Sequence, residues 1–168
     1  MYFYLFFFLV FFIFQESRQF AEMLTRPVLG CVTDSDNRVR YYALESLFNI
    51  IKTCKGSSSI LHMLNDIFIA MASVVTDKDH SVRSSAELVD RLVKDTITEE
   101  AGTFDVKQFL PELRKRMYAP DPFSRQFHLG WIKFLEFFPQ CDFADHTPDI
   151  LDALFHILAD DKMEIFCM

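Results

Sequence analysis

One passage of this sequence is written twice. Asp34 to Ile51 reads DSDNRVRYYALESLFNII, and 43 residues later Asp77 to Lys94 reads DKDHSVRSSAELVDRLVK. Asp34 matches Asp77, Asp36 matches Asp79, Val39 matches Val82, Arg40 matches Arg83 and Ala43 matches Ala86. Each copy reads as a tight acidic turn that opens a helix. Asp36 and Asp79 stand at the N-cap, where a carboxylate accepts a bond from a free N–H and faces the positive end of the helix dipole. The valines fall in the first turn and are expected to point inward. Ala43 and Ala86 are small enough for two helices to approach closely.

A period of about 40–47 residues with helices on both sides is the signature of a HEAT or armadillo-type solenoid. The expected fold is therefore all-α, a HEAT-repeat α-solenoid of about three and a half helical hairpins. Helical spacing of apolar residues places the hairpins. The first A-helix is expected over Arg18–Val32, with Phe20, Met23, Leu24, Val28 and Val32 inward and Pro27 bending it. Its B-helix runs from Asn37 to Cys54 with Val39, Ala43, Leu44, Leu47, Ile50 and Ile51 inward, and Gly56 suits the position after its end. The second pair spans Ile60–Val75, facing inward with Ile60, Leu64, Ile67, Phe68, Met71 and Val75, and His80–Ile97. The second B-helix buries Val82, Ala86, Val89, Leu92 and Val93, and sets Glu87 with Arg91 and Asp90 with Lys94 on its wet side. The third spans Val106–Tyr118 and Phe123–Phe138, with Phe123, Phe127, Trp131, Phe134, Leu135 and Phe138 inward. Its turn is degraded, because Ala119 replaces the first Asp although Asp121 and Arg125 remain. A fourth A-helix, Pro148–Ala159, carries Ile150, Leu151, Leu154, Phe155 and Leu158. Asp160 then begins another turn, and the repeat is expected to be truncated. The domain expectation is 16–168 as one HEAT-repeat domain and 1–15 as a separate apolar segment.

Residues 1–14 are apolar throughout and hold seven of the twenty phenylalanines. Fourteen residues are short for a membrane span, which takes about 20. A signal peptide would show a basic start and a small-residue cleavage site, and neither is present. A gene-model artefact also accounts for the run, because a pyrimidine tract before an intron end encodes phenylalanines and then Gln15.

The chemistry is sparse. A formal charge of −7 argues against a nucleic-acid footprint. Cys31, Cys54, Cys141 and Cys167 are scattered, as buried thiols in a reducing compartment would be. Four glycines cannot build a phosphate-binding loop, no G-x-S-x-G occurs, and Cys141, His146 and His156 lack zinc spacing. No catalytic residue, cofactor site or metal site is expected. Glu45 with Ser46, and Asp90 with Arg91, read as polar residues of a solenoid surface.

Arg40, Arg83 and Arg125 recur once per repeat. A basic stripe for phosphoinositide head groups is one reading. A structural ladder of Asp34, Arg40, Asp77, Arg83 and Arg125 is the other, and the acidic partner at the same period favours it. A half-exposed rung contributes only about 0–1 kcal/mol. Tyr41, Tyr42 and Glu45 are the residues expected to face a partner.

Five blocks resemble one known family, the vacuole-morphology scaffold also called the associated regulator of PIKfyve. They are RVRYYALESLFNIIK from Arg38, SAELVDRLVKD from Ser85, FLPELRKRMY from Phe109, RQFHLGWIKFLE from Arg125 and PDILDALFHIL from Pro148. The resemblance spans about Arg18 to Ile165. It implies a non-catalytic scaffold that binds a phosphatidylinositol 3-phosphate 5-kinase through N-terminal HEAT repeats. A Sac-domain phosphatase would join through a C-terminal region absent here, in a complex that makes and turns over phosphatidylinositol 3,5-bisphosphate. It implies a cytoplasmic protein, peripheral on endosome and vacuole membranes, with no nucleic-acid partner. The first fourteen residues and Phe166-Cys167-Met168 depart from the family pattern. The repeats taken alone allow a generic HEAT adaptor for another complex.

Overall fold

Four short-range acidic caps lay out the helices. Asp36 Oδ1 accepts from the Arg38 N–H at 2.9 Å, and Asp79 Oδ1 from the N–H groups of Ser81 at 2.7 Å and Val82 at 3.4 Å. Asp105 caps with Lys107 N–H at 2.9 Å, and Asp121 with Ser124 N–H at 3.0 Å. Each bond satisfies a donor that the first helical turn leaves open. The computed structural model describes residues 21–55, 59–139 and 143–159. Among these residues all regular structure is helical and no strand occurs. The expectations placed on residues 1–20, Gly56, Cys141 and residues 160–168 lie outside the described residues.

The chain divides into two compact units at the join of Glu100 and Ala101. The first holds α1 (Ala21–Cys31), α2 (Asn37–Cys54), α3 (Ser59–His62), α4 (Leu64–Val74) and α5 (His80–Glu99). α1 packs on α2, and α4 on α5. The B-helices α2 and α5 lie side by side, and α1 touches α3 and α4. That is a stack of two helical hairpins, as the repeat requires. Its core includes Leu44, Leu47, Ile51, Ile67, Phe68, Met71, Val82, Val89 and Val93, all almost fully buried.

Several expected faces are corrected. In α1, Met23 and Leu24 are exposed, and Ala21 and Thr25 with Val32 beyond the helix end are buried. The Thr25 hydroxyl donates to the Ala21 carbonyl at 2.7 Å, so a polar residue enters the core with its hydroxyl satisfied. Val39 is 36% exposed while Val82 is 0% exposed. α5 has α2 beside it, and no earlier B-helix lies beside α2 among the described residues. The second A-helix breaks at Met63, and Val74 rather than Val75 faces the core, since α4 starts afresh at Leu64. In α5, Leu92 is half-buried. Lys94 pairs with Asp90 at 2.7 Å in a largely covered position, whereas Glu87 and Arg91 are exposed and form no ion pair among the described residues.

The second unit holds a 3₁₀ turn (Ala101–Thr103), α6 (Val106–Arg116), α7 (Pro122–Glu136) and α8 (Phe143–Leu158), with α6 packed on both α7 and α8. Phe109 and Trp131 meet with ring centroids 4.9 Å apart, and Phe104, Phe134 and Phe138 extend the aromatic core. The buried face of α7 runs through Ser124, His128, Trp131 and Leu135 at spacings of 4, 3 and 4. Trp131, Leu135 and Phe138 are buried as expected, but the start of the expected stripe lies one position early, so Phe123 is exposed and Phe127 only half-buried. The cause is that the true stripe includes polar residues. α8 starts at Phe143 instead of Pro148 and buries Ile150, Ala153 and Ile157, leaving Leu151, Phe155 and Leu158 exposed. Cys54 is buried, but Cys31 is exposed, against the expectation of buried thiols.

Candidate functional site

The repeated turns bring together part of the expected ladder. Arg40 Nε donates to Asp77 Oδ2 at 2.7 Å and Arg40 Nη2 to Asp77 Oδ1 at 2.9 Å, a fork-to-fork pair from one turn to the next. The side chains are 16% and 8% exposed. The Arg40 guanidinium holds the Asp77 carboxyl below the usual carboxylate range, against the opposing effect of burial. The other face of Arg40 closes its own turn, with Nη1 donating to the carbonyls of Asp34 at 2.8 Å and Ser35 at 3.1 Å.

Arg83 repeats the inward half of this arrangement, donating from Nη1 to the Asp77 carbonyl. Arg125 repeats it again, with Nε on the Ala119 carbonyl at 2.7 Å and Nη2 on the Pro120 carbonyl at 3.0 Å. The common element is therefore an arginine on the backbone carbonyl six residues earlier. The acidic residue has a separate use. Asp34 Oδ1 and Asp77 Oδ1 each accept the N–H two residues on, at 2.8 and 2.9 Å. Asp77 alone of the two carboxylates also takes an arginine.

Two further links between α2 and α5 escaped sequence reasoning. The Asn37 amide donates to Asp79 Oδ2. That bond, and next the Ser81 N–H, draw the Asp79 carboxyl below its usual range. At the opposite end of the same helices Lys55 Nζ meets Glu99 Oε1 at 2.6 Å. The signal was available: these pairs are 42 and 44 residues apart, one repeat length. Outside the turn, Arg38 grips Asp36 at 2.8 Å and sets the Asp36 carboxyl at about 2.

The expected partner-facing residues lie on α2. Tyr42 is 63% exposed, Tyr41 is half-buried and Glu45 is exposed. The two tyrosine rings meet edge to face at 5.3 Å, so the buried part of Tyr41 steadies the exposed ring of Tyr42. Among the described residues no three His, Cys, Asp or Glu side chains could hold a metal ion, and no helix is long and apolar enough to cross a membrane.

Residues 8–95 match the family described as the Vacuolar 14 Fab1-binding region. The chain belongs to the Vac14 family. The match reaches back to residue 8, ahead of the Arg18 start of the resemblance and into the first fourteen residues, which were expected to depart from the family pattern. A VAC14 homolog of Arabidopsis thaliana is 43% identical over 150 residues, covering 89% of this chain and 20% of that protein. A VAC14 homolog of Schizosaccharomyces pombe is 31% identical, covering 87% of this chain and 22% of that protein. The vacuole morphology and inheritance protein 14 of Saccharomyces cerevisiae is 32% identical, covering 88% and 21%. The chain thus spans about a fifth of the length of these Vac14 relatives. No solved structure matches.

Proposed function

We propose that this chain is a non-catalytic scaffold segment that binds a phosphatidylinositol 3-phosphate 5-kinase through its stacked HEAT hairpins. The observation that carries this reading is the match to a Fab1-binding region over residues 8–95, which includes the whole of α1 to α4 and most of α5. In this reading the complex makes and turns over phosphatidylinositol 3,5-bisphosphate. The Sac-domain phosphatase joins the complex through parts of the protein outside these 168 residues. The chain is cytoplasmic and peripheral on endosome or vacuole membranes by way of its complex.

The roles divide by location. The Arg40–Asp77 rung and the links at both ends of α2 and α5 set the register of the two hairpins. Tyr42 and Glu45, with Tyr41 behind them, face the kinase. Register matters because a partner that spans two hairpins reads both surfaces at once. Pull-down of the kinase with the 168-residue chain tests the proposal, compared with Tyr42→Ala/Glu45→Ala. Capture by the parent chain and a loss of at least about tenfold in the double variant are expected. No capture by the correctly folded parent chain overturns the scaffold reading. Equal capture by both removes the α2 assignment.

A further inference from the structure

A cleft of about 740 Å³ lies between α6 and α8, within the second unit. Its walls include Lys107, Arg114 and Lys115 from α6, Tyr118 just beyond that helix, and Asp145 and His146 from the start of α8. Nothing in the kinase-scaffold reading uses it.

The charge at this cleft runs against the chain as a whole. There are 24 acidic and 17 basic residues, so carboxylates outnumber the cations that could pair with them. Arg116 does pair, reaching Glu112 at 3.7 Å. Lys107, Arg114 and Lys115 are exposed and form no ion pair among the described residues. Helix stability explains only part of this set. Cations in a last turn are favoured by the helix dipole, which accounts for Arg114 and Lys115. Lys107 is in the first turn, where the same field opposes a cation. Lys107 and Arg114 are seven residues apart and so share one face of α6, with about 10 Å of rise between them. Against three cations the cleft wall sets one carboxylate, Asp145. Tyr118 shapes the rim: its hydroxyl donates to Asp152 and lies against Arg114.

We propose that this cleft binds phosphomonoester groups, taking a compact ligand that carries at least two of them. The guanidinium of Arg114 offers a planar fork suited to a phosphate, and the two lysines add point charges. The spacing along α6 lets Lys107 and Arg114 hold separate phosphates. The volume falls in the range of small-molecule sites, about 300–1,000 Å³. The ligand is either a free phosphorylated compound or a phosphorylated lipid headgroup. The proposal uses residues apart from those assigned to the kinase, so either one can fail alone.

The test is calorimetric titration of the full chain with myo-inositol hexakisphosphate and, separately, inorganic phosphate. Lys107→Ala/Arg114→Ala/Lys115→Ala is compared with a charge-matched control, Lys52→Ala/Lys78→Ala/Lys133→Ala, made at exposed lysines elsewhere. The expected result is tighter binding of the polyphosphate than of phosphate. That affinity should fall by at least about tenfold in the cleft variant and be retained in the control. Equal loss in both variants, or no binding by the parent chain, overturns the proposal. So does equal binding of phosphate-free poly-glutamate. Flotation with phosphatidylcholine vesicles, with and without a bisphosphorylated phosphoinositide, separates the sources. Cleft-dependent flotation assigns the site to a lipid headgroup, and calorimetric binding without flotation assigns it to a free compound.

Discussion

The turns at Asp34 and Asp77 have the same sequence logic and the same local bonds, yet they carry different loads. Both carboxylates accept an N–H two residues on, and both turns are closed by an arginine on a backbone carbonyl. Only Asp77 also receives a second turn's arginine, and only its valine, Val82, is sealed from water. Among the described residues, the Asp77 turn has a neighbouring hairpin on its N-terminal side and the Asp34 turn does not. Identical motifs therefore differ in energy according to their place in the stack.

Asp77→Ala should break that comparison most strongly. It removes one partner of a nearly buried ion pair and leaves Arg40 without its carboxylate. A loss of about 3 kcal/mol is expected in urea denaturation followed by circular dichroism. That is larger than the half-exposed rung expected from sequence, because the pair is bidentate and mostly covered. Val82→Ala should destabilise by about 2 kcal/mol, since two buried methyl groups are lost. Val39→Ala, at the matched position, should change stability by less than about 0.5 kcal/mol. Equal effects at the two valines would contradict the stacking assigned to α2 and α5.

Acid sharpens the contrast between the two units. Asp77 and Asp79 have carboxyls drawn below their usual range, so their stabilisation is complete above about pH 4 and is lost as pH falls further. His128 is buried, and its imidazole is lowered to about 4, chiefly by burial and then by the Arg116 charge. The unfolded chain then takes the proton first. Stability should fall as pH drops from about 6.5 and level off below about 4, with a slope of at most about 1.4 kcal/mol per pH unit. Fluorescence of Trp131, the chain's single tryptophan, reports that unit, and His128→Gln should flatten the slope. An effect as small as that of Val39→Ala is expected for Asp34→Ala. It loses one exposed N–H bond, and about 0.5 kcal/mol or less should be seen in the same denaturation assay.

The repeat made much of this legible. The start of α2 was read to the residue and its end closely, because an Asp cap and an apolar stripe mark it. α5 ran two residues past its expected end. The fork of Arg40 on Asp77 followed from an acid and a base recurring at one period. Reading failed where polar side chains turn inward. Thr25 hides its hydroxyl on its own helix, and Ser124 and His128 carry the first half of the buried face of α7, so a search for oily residues alone chose Phe123 and Phe127 there, while Trp131 and Leu135 were found. The cleft beside α6 was also missed. Lys107 and His146 are 39 residues apart, and only the packing of α6 on α8 sets them in one wall.

The arginine that grips the carbonyl six residues upstream has a mechanical consequence. At Arg125 the grip is made although Ala119 offers no carboxylate, so the bend of a hairpin is tied by one fastening and the join to the next hairpin by another. A hairpin can therefore hold its own bend even at a place in the stack where the acidic residue is missing.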